Sequence, residues 1–139
     1  MKFNSAFGNF SMEVPSSWTK TEILGVPAFS GHIDLGSRDT ITFNYGYWAS
    51  ELQNGRLYSN ADENESKKIT ESQITIDKCI TNVATPKTAG QGVIRVYFDS
   101  LYHIGPTIVR MDLFGENLNP KNQILFLQAI KSLKFEKRQ

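Results

Sequence analysis

Apolar residues recur along this chain at two spacings, and the change from one to the other divides it. From Phe7 to Val14 they alternate: Phe10, Met12 and Val14 fall on one side of an extended backbone, with Ser11 and Glu13 on the other. That pattern predicts a half-buried strand. Pro15 ends it, and Ser16-Ser17-Trp18 follows as a turn with an apolar anchor. Residues 28–35 (AFSGHIDL) and 40–48 (TITFNYGYW) predict two more strands, and Gly36-Ser37-Arg38-Asp39 between them makes an antiparallel hairpin. A second hairpin is expected from Gln73 to Ile76, through Asp77-Lys78, to Cys79 to Thr85; Pro86 to Gly92 is a loop by composition. Val93 to Leu101 then sets Ile94, Val96 and Phe98 against Val93, Arg95, Tyr97 and Asp99. His103 to Pro106 reads as a turn, and Thr107 to Phe114 as the next strand, with Val109, Met111 and Leu113 on one face.

The period changes after Asn119. Phe126, Ala129, Ile130 and Leu133 follow the i, i+3, i+4, i+7 spacing of a helix. Asn119 suits the N-cap, and Pro120 the first helical position, where no amide hydrogen is needed. Ile124, Leu125 and Leu127 widen the apolar stripe, so the first turns are expected to be deeply buried. Residues 49–72 follow neither period. Leu52, Leu57 and Ile69 are their only large aliphatics, and Asn60 to Lys68 is almost wholly polar. The expectation there is a long surface excursion with one short helix around Glu63 to Thr70.

About six or seven strands in antiparallel hairpins, with a C-terminal helix laid on the sheet, make an α+β fold rather than a doubly wound parallel one. A length of 139 residues suits one domain spanning 1–139. The net charge of +1 supplies no strong field toward nucleic acid or anionic lipid. One cysteine, Cys79, rules out an internal disulfide. No apolar run reaches the length of a membrane span. The compartment stays open: cytoplasmic if Met1 is the native start, extracytoplasmic or lipoprotein if a signal was trimmed.

Candidate chemistry is sparse. His32 and Asp34 stand two apart on a strand, hence on one face, and offer a polar pair for acid–base work or half a metal site. His103 brings no clear third ligand. An EF-hand loop from Asp62 needs Gly and Glu where Lys67 and Gln73 stand, so no metal is expected. Gly90-Gln91-Gly92 precedes a strand rather than the helix N-terminus that a phosphate loop needs. Tyr45 and Tyr47 share a strand face and Trp48 follows, which is an aromatic group able to border a binding groove or to pack in the core. Arg110 and Asp112 share a face and suggest a salt-bridged, solvent-facing strand surface.

The two ends of the chain resemble PsbP-like domains. The opening Phe10-Ser11-Met12-Glu13-Val14-Pro15-Ser16-Ser17-Trp18 looks like their entry strand, and the closing helix with LQAIKSLKF looks like their end. The resemblance implies an α/β/α or α+β sandwich around an antiparallel sheet. Its known members include a photosystem accessory subunit, chaperones of secretion effectors and uncharacterised bacterial lipoproteins. Their common implication is accessory binding without catalysis; no cofactor is expected. The leading expectation is therefore a non-catalytic module engaging a protein partner. The alternatives are a small-ligand or lipid carrier with an aromatic-lined cavity, and an enzyme using His32 and Asp34.

Overall fold

The computed structural model describes residues 1–23, 28–46 and 68–137. Ten strands and one helix lie within them. In chain order they are β1 (Lys2–Ser5), β2 (Gly8–Ser11), β3 (Thr19–Ile23), β4 (Ala28–Gly36), β5 (Asp39–Gly46), β6 (Ile69–Ile76), β7 (Cys79–Pro86), β8 (Val93–Ile104), β9 (Thr107–Glu116), α1 (Pro120–Ile130) and β10 (Lys134–Lys137). The larger sheet has seven strands in the order β3-β4-β5-β9-β8-β7-β6, and every pairing in it is antiparallel. A separate three-stranded sheet runs β1-β2-β10. The class is α+β, as the alternating pattern implies.

Two hairpins turn where turn residues stand. Ser37 and Arg38, and likewise Asp77 and Lys78, hold positive φ at both central positions. That is the twist a two-residue turn needs to match its flanking strands.

The larger sheet has one closed face. Phe29, Ile33, Ile41, Phe43, Tyr45, Ile94, Val96, Phe98, Val109, Met111 and Leu113 are buried in one apolar cluster with Phe3, Phe10, Phe126 and Ile130. The small sheet reaches it through Phe3, Phe10 and Phe135, which stand side by side across its three strands. Phe3 and Phe10 stack with centroids 4.4 Å apart, and Phe10 meets Tyr45 edge-on at 5.1 Å. Phe135 lies 5.1 Å from Phe98. Such aromatic pairs add to the stabilisation from burial alone.

The helix is anchored at its start. The Asn119 side chain accepts from the Lys121 amide at 2.9 Å, which caps it. Asp39, at the start of β5, accepts from the Asn119 amide and from the Asn122 side chain at 2.8 and 2.7 Å. Asn119→Ala is expected to cost about 1 kcal/mol in a denaturant titration. A neutral result would mean that Asp39 alone holds the helix start.

The structure corrects several expectations. Strand β2 stops at Ser11 and folds back on β1, a hairpin whose four-residue arms are too short to show a period. Strand β3 went unforeseen because all five of its residues are exposed, leaving no alternation to read. Strand β6 begins at Ile69, so Ile69 to Ser72 is extended and not part of an excursion or helix; the rest of residues 49–72 up to Lys67 lies outside the described residues. His103 is not in a turn: it pairs with Ile108 inside the β8–β9 ladder, where it is exposed. Ile124 is 59% exposed, so the first turns of α1 are buried on one side only. The tail after Leu133 forms β10 and completes the small sheet.

Candidate binding surface

Tyr45, the one described member of the aromatic group, lies entirely inside the core. Its hydroxyl bonds that of Tyr102, and Tyr102 donates onward to the carbonyl of Phe7. A side chain at Gly8 would overlap the Tyr102 hydroxyl, so only glycine lets β2 approach this pair. Burial, reinforced by the Tyr102 hydroxyl, pushes the Tyr45 pKa well above the ordinary tyrosine value. Tyr45 is thus a neutral, internally bonded core residue with no surface to offer a partner. Tyr47 and Trp48 lie outside the described residues.

His32 and Asp34 sit on the outer face near the β3 edge, and both are exposed. They are turned to separate tasks. Asp34 accepts from the Gly36 amide at 2.9 Å and shapes the hairpin, while His32 Nδ1 stands 3.4 Å from the Thr42 hydroxyl. Among the described residues no group of three His, Cys, Asp or Glu side chains is placed to hold a metal ion. No helix among them is long and apolar enough to cross a membrane.

The outer face of the seven-stranded sheet carries a polar network instead. Cross-strand pairing aligns Asn44, Asp112, Tyr97, Asn82 and Gln73 in one row. Arg95 reaches diagonally to Asp112, donating through Nε and Nη2 to the two carboxylate oxygens at 2.8 Å each. This fork-to-carboxylate geometry is the strongest form of the pair. The Arg95 guanidinium also lies 5.7 Å from the Tyr97 ring centroid. Tyr97 donates to Asp99 at 3.3 Å, Asp99 faces Arg110 at 3.5 Å, and Gln73 donates to Asn82 at 3.1 Å. Burial, then the charge of Asp99, raises the Tyr97 pKa above the ordinary value, against a lowering influence of Arg110.

Arg110 and Asp112 therefore do not pair with each other along β9. Each takes a partner on β8, and Asp112 is buried rather than facing solvent. Their side chains come from alternate rungs of one strand, and β8 offers each an opposite charge.

This row ends at a groove. Along β8, the three residues between Phe98 and Tyr102 stand against only one on β9, Arg110 between Met111 and Val109. Beside this bulge the pairing of β8 with β7 stops, at Asn82. The groove between them, about 370 Å³, is lined by Gln73, Ile80, Asn82, Asp99, Ser100 and Leu101 among others. Ile80, at 66% exposed, is the most exposed large apolar side chain among the described residues. Bulges commonly re-aim side chains and end pairing beside binding sites. Nothing in the linear sequence marks this one.

Comparison of the chain with protein-family models, with curated proteins and with solved structures gives no match.

Proposed function

We propose that this chain is a non-catalytic binding domain that engages a protein partner at the β7–β8 groove. The observation that carries the reading is Ile80, a large apolar side chain left 66% exposed at the rim of a concave surface lined by both polar and apolar groups. An apolar anchor beside hydrogen-bonding side chains is the anatomy of a protein interface, in which a few central residues supply most of the affinity. The neighbouring charges on β8 and β9 are paired with one another: Arg95 with Asp112, and Arg110 with Asp99. They stiffen the surface and leave recognition to shape and to Ile80. We also propose a PsbP-like α/β/α arrangement, supported by the order of elements from the entry strand and Trp18 to α1.

Affinity capture with the full chain and with Ile80→Arg tests the reading. One stoichiometric protein retained by the unsubstituted chain and released roughly 30-fold more readily by the variant is the expected result, the loss of a buried apolar anchor being about 2 kcal/mol. Recovery of a bound small molecule in place of a protein would overturn it.

A further inference from the structure

The seven-stranded sheet ends on β3 at one side and β6 at the other. Of the two, β3 is the more open, since all five of its residues are exposed. Its backbone orientation follows from Gly31. A side chain there would overlap the carbonyl oxygen of Thr21, so that carbonyl is turned inward toward β4. Backbone groups alternate in direction along an antiparallel strand. The N–H and C=O of Lys20 and Glu22 therefore point away from the sheet, where no strand of the described residues lies against them. An open edge of this kind is a template for another strand.

We propose that β3 pairs antiparallel with β3 of a second copy of this chain, about a two-fold axis at Thr21, joining two seven-stranded sheets edge to edge. The sequence Thr19-Lys20-Thr21-Glu22-Ile23 is self-complementary in that arrangement. Lys20 stands opposite the partner's Glu22, and Glu22 opposite the partner's Lys20. These are the residues whose backbone groups face outward, so each pair also exchanges ladder hydrogen bonds. Within one copy Lys20 and Glu22 already stand together, Nζ to Oε1 at 2.6 Å, on one side of the strand. Lys20 is held there by donating to the Lys2 carbonyl and by resting 4.5 Å from the Phe3 ring centroid. On the other side of the strand, Ile23 at 56% exposed is covered beside the partner's Thr19.

Charge selects this register over its neighbours. An axis at Lys20 would set lysine opposite lysine, and one at Glu22 glutamate opposite glutamate, both of which destabilise a cross-strand pair. The contact is short, so the dimer is weak, with a dissociation constant on the order of 100 µM. The β3 edge and the β7–β8 groove lie on different strands, so the two proposals stand or fall separately.

Sedimentation velocity of the full chain from micromolar to millimolar concentration tests it. A monomer–dimer equilibrium is expected. Glu22→Lys, which sets like charges opposite each other twice, is expected to weaken it roughly tenfold, and K20E with E22K together to restore it. In the unsubstituted chain, amide exchange at Lys20 and Glu22 should slow as concentration rises. A chain that stays monomeric at millimolar concentration overturns the proposal. So does a dimer that Glu22→Lys leaves unchanged, or one that the double exchange fails to restore.

Discussion

Phe10→Ala is expected to lower the stability of the fold by about 3–5 kcal/mol, read as a fall in the midpoint of a denaturant titration. The size of the effect follows from where one ring sits. Phe10 is 2% exposed on the central strand of the small sheet. It stacks on Phe3 and lies within 6.5 Å, centroid to centroid, of Phe29, Phe43, Tyr45 and Phe135. Removing it opens a cavity where the two sheets meet, bordered by side chains from β1, β4, β5 and β10. Phe10 is the ring through which the other two aromatics of the small sheet, Phe3 and Phe135, are held side by side. A loss below about 1 kcal/mol would show that the small sheet contributes little to the folded state.

The second large effect is alkaline destabilisation. Tyr45 and Tyr97 are both held protonated in the folded chain, chiefly by burial. In the unfolded chain each ionises near pH 10. Because the folded values lie above the unfolded one, the stabilisation is complete below about pH 10. It is then lost as pH rises toward the folded values, at about 1.4 kcal/mol per pH unit for each tyrosine. Denaturant titrations from pH 8 upward should show a plateau and then a steep decline. Tyr97→Phe removes one titrating hydroxyl, along with its bond to Asp99, and should make that decline shallower by about one proton's worth. An unchanged slope in Tyr97→Phe would show that Tyr97 does not titrate differently in the two states.

The candidate binding surface was less legible than the fold, and the β8–β9 hairpin shows why. Its turn at Gly105-Pro106 is plain from composition, and both strands alternate clearly. Counting back from the Ile104–Thr107 pair would set Asp112 opposite Asp99, two carboxylates face to face. The bulge between Phe98 and Tyr102 shifts the register so that Asp112 stands opposite Tyr97 and diagonal to Arg95. No local pattern announces that shift. It gives Asp112 an opposite charge, leaves Asp99 to Arg110, and opens the groove beside Ile80. Likewise His32 and Asp34 share a face, as their spacing requires, but the hairpin amide of Gly36 takes up Asp34.

What the sequence determined by itself is the local repertoire. Alternation placed β4, β5, β7, β8 and β9, turn residues placed the hairpins between them, and Asn119-Pro120 placed the start of α1. These are short-range consequences of backbone geometry and side-chain period. Only the tertiary structure decided what depends on distant partners. Strand β3 exists because β4 pairs with it, since its own residues are all polar or exposed. Strands β1 and β10 exist because Phe3 and Phe135 find Phe10 between them. Tyr45 went to the core and not to a surface because Gly8 lets β2 and Tyr102 close over its hydroxyl. A side chain's period tells which face it takes; only the packing of the other elements tells whether that face is closed.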